Sequence, residues 1–330
     1  MMKFLIAAST AAVFATSASF ANQDVLFSYG GKDYQFKDLQ PELQQRFFDT
    51  KQEARDKQLG VLDQAVMDIY IDKLAASKDN SSAETRAELL KVDPVTDADI
   101  EALYNQYKDR IGAPLEQVKG YIEQQLITMR MQEKAQQLIN SAKKENGFQL
   151  KLPELESPVF TMNLTPFPAK GAKEAKVTVV EFADYRCGYC KKAKTAVDDL
   201  LKKYGDKVKV VYIDFPVVQT QTGISQKVVA GAYCARQQDK YWEYHAKAYD
   251  MQKDLGLDSA AQIASILKLN KKTFQACMNS SNSSDYVTRA SEFGRTYGVT
   301  GTPTFFVNGK RIHTHDPAVD LESMVVKALK

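Results

Sequence analysis

The 330-residue chain is poor in cysteine, in long apolar runs and in net charge. Four cysteines are too few for a disulfide-stapled scaffold, so any core must come from packing. No apolar run reaches the roughly 18–20 residues needed to span a bilayer, which argues against an integral membrane protein. Lys and Arg (44) nearly balance Asp and Glu (41), and a net charge of +3 gives no footprint for nucleic acid. Internal repeats and low-complexity tracts are also missing. What is present is the mix of a soluble globular protein, 44% hydrophobic and 26% charged. At roughly 100–200 residues per domain, the length suggests about two domains.

The first residues read as an export signal. Lys3 gives a positive start, Phe4 to Phe14 is apolar, and small residues lead to Ala21. Residues 1–21 are therefore expected to be removed. The remaining chain is expected in an exported, oxidising compartment, where no glutathione pool keeps thiols reduced.

Charge divides the rest. Residues 22–155 carry 18 Lys and Arg against 23 Asp and Glu; residues 156–330 carry 25 against 18 and hold every cysteine. Between them Leu150 to Pro158 has two prolines and reads as an extended linker, giving units over 22–150 and 159–330 with 151–158 between. In the first unit, Val25 to Phe36 alternates around Gly30-Gly31, a small hairpin. Leu62, Val66, Ile69 and Leu74 keep a helical spacing. Ser81 with Glu84, and Thr96 with Asp99, match the capping-box pattern of a helix start. After Pro114, Leu115, Val118, Ile122, Leu126, Met129, Leu138 and Ala142 form one stripe, and Gly147 marks a stop. Such a stripe suits a bundle core, or an arm for self-association or client binding. The order of these segments, with Val95 to Tyr104 and Leu115-Glu-Gln-Val-Lys, resembles the helical N-terminal segment of periplasmic SurA-type folding factors. That resemblance implies a chaperone-like or self-associating helical arm.

The second unit carries the chemistry. Lys176 to Ala183 reads as a buried strand running into Cys187-Gly188-Tyr189-Cys190, and a helical pattern follows through Ala193, Val197, Leu200 and Leu201. Thiolates, not thiols, attack disulfides. At a helix N-terminus the unpaired N–H groups favour a Cys187 anion, and Arg186, Lys191, Lys192 and Lys194 add positive potential. The three-residue spacing brings Cys190 back across one turn to close the pair. A zinc site is the competing use of such a pair, but Cys234 and Cys277 lie 44 and 87 residues beyond Cys190 without that spacing. His313 and His315 could supply ligands, yet they suit a strand surface better, so neither metal nor cofactor is expected. His245, among Tyr241, Trp242 and Tyr244, reads as a packed side chain. Glu181 is either a partly buried acid that exchanges a proton with Cys190 or a strand-edge carboxylate paired with lysine. Pro303, opening the strand Thr304-Phe-Phe-Val, is either a cis proline or an ordinary trans one.

Together, Val180-Glu181-Phe182, the cysteine pair, Val208 to Pro216 and Gly298 to Phe305 resemble the DsbA-like disulfide oxidoreductases of the bacterial periplasm. The resemblance spans residues 155–330. It implies an α/β thioredoxin fold with a helical insertion from Ile224 to about Tyr297, preceded by the mostly helical N-terminal domain. It further implies Cys187 as nucleophile, Cys190 as resolving thiol, Glu181 as buried acid, and Thr302, Pro303, Gly188 and Tyr189 along the client site. DsbA-type oxidases usually carry Pro-His between the cysteines and valine before the cis proline. Gly188-Tyr189 and Thr302 look more like the dimeric isomerases DsbC and DsbG, or related dimeric and trimeric DsbA-like proteins with an N-terminal stalk. The missing histidine implies a less stabilised thiolate and a weaker oxidant. The same likeness implies a structural Cys234–Cys277 bond, a homodimer formed through residues 22–150, and exported cysteine-containing clients. It also implies a membrane redox partner of DsbB or DsbD type. A protein that disulfide bonding does not occupy at all, a holdase or a Cu(I) binder, is the alternative.

Overall fold

The computed structural model describes residues 25–312 and 317–330. The signal expected over residues 1–21 and the pair His313 and His315 lie outside them. The chain divides into two compact units, residues 49–156 and the residues up to Phe48 together with 157–330.

The N-terminal hairpin pairs β1 (Val25–Tyr29) with β2 (Lys32–Gln35) antiparallel. Gly30 and Gly31, at φ +58° and +75°, make the two-residue turn whose twist suits a hairpin. Helix α1 (Pro41–Ser77) starts well before the periodic residues suggested. Pro41 at its first position and Glu42 in its first turn explain the start. The division between the units falls within α1. The hairpin and the first turns of α1 therefore group with the C-terminal unit, unlike the boundary drawn at residue 22. Gln45 is fully buried there, and Gly298 lies against it. Gly298 has φ +71°, and a Cβ added to it would come 3.0 Å from that of Gln45.

Residues 49–156 continue α1 and add α2 (Ser82–Leu89), α3 (Asp97–Ile111) and α4 (Leu115–Glu145). Ser81–Glu84 and Thr96–Asp99 both form reciprocal capping boxes. Gly147, at φ +60°, ends α4, with the Phe148 N–H donating to the Lys143 carbonyl at 3.0 Å. The core here is small: Met67, Ile71 and Ile139, flanked by Leu89, Leu90, Ala135 and Leu138. Ile69 and Met129, expected on the apolar stripes, are instead 68% and 53% exposed. Helices of 37 and 31 residues offer more apolar face than so small a core covers.

The C-terminal unit is built on a five-stranded sheet of order β3-β5-β4-β6-β7. Its strands are β3 (Ala169–Gly171), β4 (Val177–Ala183), β5 (Val208–Asp214), β6 (Thr304–Val307) and β7 (Lys310–Ile312). β4 and β5 run parallel, joined by α5 (Gly188–Tyr204); the other pairings are antiparallel. A central strand covered on both faces is mostly apolar, and every residue of β4 but Thr178 is buried, Glu181 included. Val177 and Val179 face α5 and α11 (Pro317–Leu329), while Val180 and Phe182 face the other core. Between β5 and β6 lies the helical insertion: α6 (Ile224–Arg236), α7 (Tyr241–Asp250), α8 (Ser259–Ile266), α9 (Lys271–Met278) and α10 (Ser281–Thr296). This is a thioredoxin fold with a helical insertion behind a helical N-terminal region.

Cys234 on α6 and Cys277 on α9 form a disulfide across 43 residues. A closed loop of that length removes about 4 kcal/mol of unfolded-state entropy in the chain-entropy model. Replacing both cysteines by alanine is expected to lower the unfolding free energy by roughly 3–4 kcal/mol, read from urea unfolding monitored on the insertion helices. An unchanged midpoint would show that the bond contributes nothing to the folded state.

Candidate active site

The sheet order brings three segments together. β4 ends at Ala183 and leads into the turn Asp184 to Cys187. β5, parallel to it, ends opposite at Asp214. β6 is antiparallel, with Thr304 opposite Phe182, so the preceding Thr302-Pro303 falls beside the cysteine turn. That peptide bond is cis. The Cys187 thiol donates to the Thr302 carbonyl at 3.3 Å.

Cys187 is the N-cap of α5, and Cys190 lies one turn in. Both are free thiols here, Cys187 8% exposed and Cys190 fully buried. Cys187 is lowered to about 6. The Cys190 thiol is the main cause, against the cost of burial, with the Thr302 side chain and the N–H groups of Cys190 and Tyr189 adding to it. The nearby cations do less than their number suggested. Arg186 turns away to Gln219 and Thr222, Lys194 pairs with Asp198, and Lys192 lies over the Tyr189 ring. Burial pushes the Cys190 thiol far up, and its hydrogen bond to Cys187 adds to the effect. The pair is therefore split into an easily ionised outer sulfur and an inner one that stays protonated. Gly188 and Tyr189 between them are exposed, Tyr189 by 66%.

Glu181 sits on the Val177–Val179 face of β4, 2% exposed. Its Oε1 has no hydrogen-bond partner among the described residues. Burial raises it to about 8; Asp198 and Cys187 push the same way and Lys194 opposes them. It is thus a buried acid and not a strand-edge carboxylate. A cavity of about 20 Å³ beside it, lined also by Lys194, Asp198, Lys170 and His245, is large enough for about one water. His245 is packed among Tyr185, Tyr212, Tyr241, Trp242 and Tyr249, and burial holds it neutral.

Two residues that the sequence did not single out shape the turn. The buried Asp184 carboxylate accepts four hydrogen bonds at 2.8 Å, from the N–H groups of Arg186, Val217 and Val218 and the Ser225 hydroxyl. An aspartate opening a turn is a readable signal, because it caps the N–H two residues on. Asp214 closes β5 under Tyr241 and Tyr286, whose hydroxyls donate to it at 3.2 and 2.9 Å; burial lifts it to about 7 against those donors. Nothing in its sequence neighbourhood announces that burial.

The cysteine pair at a helix start faces a cis proline at the carboxyl ends of a central parallel strand pair, in a thioredoxin-like fold. A family model described as Thioredoxin matches residues 166–327, just under half of the chain. The Na(+)/H(+) antiporter NhaA 3 of Salinispora tropica is 33% identical over 144 residues, 44% of this chain and 22% of the antiporter. The chain thus spans about a fifth of the length of that relative. Disulfide bond formation protein D of Bacillus subtilis is 25% identical over 171 residues, covering 49% of this chain and 77% of that protein. Among solved structures, a thioredoxin-like oxidoreductase from Silicibacter pomeroyi DSS-3 is 28% identical, with a TM-score of 0.44 over 49% of this chain and 92% of its own. No helix among the described residues is long and apolar enough to cross a membrane.

Proposed function

We propose that this protein is a thiol–disulfide oxidoreductase that forms and isomerises disulfides in exported proteins through Cys187 and Cys190. The observation that carries the reading is the split pair: an outer sulfur ionised near pH 6 beside a cis proline, over a buried thiol. In the reductive direction the Cys187 thiolate attacks a client disulfide. One client sulfur leaves as thiolate, and a mixed disulfide forms. Cys190 loses its proton and attacks the Cys187 sulfur, the second client thiolate leaves, and a Cys187–Cys190 disulfide remains. The client gains two electrons and the pair loses two. Run backwards, the same steps oxidise a client dithiol. If another client thiol resolves the mixed disulfide instead, the client is isomerised with no net redox change. Thr302, Pro303, Gly188 and Tyr189 surround Cys187 and form the client site. A membrane partner of DsbB or DsbD type in the periplasm would recycle the pair.

The test is equilibration of the reduced protein with a graded dithiol couple, with Cys187–Cys190 followed by alkylation. A pair that cycles at a potential within the oxidoreductase range supports the assignment. A pair that never closes would favour a holdase or a Cu(I) binder. The exposed Val61, Ile69, Tyr121, Met129 and Met131 of residues 49–156 support self-association of that unit. Light scattering of the full chain is expected to give a dimer mass that Ile69→Asp with Met129→Asp reduces to a monomer. A parent monomer would reject dimerisation.

A further inference from the structure

The turn that carries Cys187 is also held from the helical insertion. Gln252 opens the single 3-10 turn Gln252–Asp254 that follows α7. Its side-chain amide donates twice, to the Tyr185 carbonyl at 2.7 Å and to the Cys187 carbonyl at 2.9 Å. Both acceptors are main-chain groups two residues apart, on either side of Arg186. Tyr185 is fully buried, so its carbonyl lies away from water, where an unmade hydrogen bond is costly. The Cys187 carbonyl also receives the Lys191 N–H at 3.2 Å, the first hydrogen bond of α5. Two donors therefore converge on the carbonyl that starts the helix. Within the turn, the Asp184 carboxylate accepts the Arg186 N–H at 2.8 Å. Gln252, from outside the turn, thus holds the Tyr185–Arg186 and Cys187–Gly188 peptide planes, and Asp184, within it, holds the first of them as well.

We propose that Gln252 is a positioning residue for Cys187: it fixes the peptide planes at the head of α5 so that the Tyr189 and Cys190 amides aim at the Cys187 sulfur. Those amides are among the groups that favour the thiolate. The insertion then does more than cover the sheet, because it sets how readily the outer sulfur ionises. The inference rests on the reading of Cys187 as the attacking group.

The full chain, reduced, is compared with Gln252→Met, which keeps the length and removes both donors, and with Gln252→Glu, which keeps the shape and turns an oxygen toward the carbonyls. The readout is the pH dependence of iodoacetamide alkylation at the Cys187 peptide. The parent midpoint is expected near 6. It should rise by about one unit in Gln252→Met and further in Gln252→Glu, a roughly tenfold loss of thiolate stabilisation. The Cys187–Cys190 disulfide should become correspondingly harder to reduce. A merely structural role would lower the melting temperature and leave the midpoint in place. Folded variants with the parent midpoint overturn the proposal. If neither variant folds, the parent's Gln252 side-chain amide resonance decides: it should shift with the Cys187 titration, and a flat trace overturns the proposal equally. A parent midpoint in the ordinary thiol range would reject instead the reading of Cys187 on which this rests.

Discussion

Cys187→Ala is expected to abolish isomerisation of a scrambled model substrate and oxidation of a reduced one, each by at least about a thousandfold. No other sulfur can take its place. Cys190 is fully buried with its thiol pushed far up, and Cys234 and Cys277 are bonded to each other. The pH profile makes the test specific. An ordinary thiol is only a few per cent ionised at pH 7, whereas a group titrating near 6 is about nine-tenths ionised, a gain of more than tenfold in attacking species. The parent's attack on a small disulfide should therefore rise up to about pH 6 and then level off. A free thiol would keep climbing toward pH 9. Turnover by Cys187→Ala at a tenth of the parent rate or more would remove Cys187 from the role of nucleophile.

The outlines of fold and site were legible because each rests on local chemistry. The mostly apolar, β-branched stretch from Val177 to Ala183 marks a strand covered on both faces, and a cysteine just before a helical pattern marks the N-cap. Paired Ser81–Glu84 and Thr96–Asp99 mark helix starts by direct hydrogen bonding. What stayed hidden depends on groups far apart in the chain. Periodicity shows that Ile69 and Met129 share a face with apolar neighbours; it cannot count the layers available to cover that face. Charge near Cys187 could be counted, but not that Arg186 would turn to Gln219, thirty-three residues on. Gln252 lies sixty-five residues from Cys187 in a turn without a motif, so only the folded chain reveals that it meets the cysteine carbonyl.

Cys190→Ser should show the second half of the cycle by stopping it. The Cys187 thiolate still attacks, but no sulfur remains to displace the client, so mixed disulfides should accumulate on non-reducing gels. Release should slow at least about a thousandfold, to the pace of attack by outside thiols. Glu181 is expected to set the rate of that release in the intact pair. Cys190 must give up a proton while fully buried, and Glu181 is a buried acid with an open oxygen and a cavity of about one water beside it. An acid raised to about 8 is mostly protonated below that pH and cannot accept. The resolving rate should therefore rise as pH passes through about 8, where Glu181 becomes a carboxylate. Glu181→Gln should lose that rise and slow release about a hundredfold, with alkylation of Cys187 little changed. Stopped-flow measurement of product release from a preformed mixed disulfide separates the two steps. If Glu181→Gln kept the parent rate and the same pH profile, the proton of Cys190 would have to leave by a route that bypasses β4.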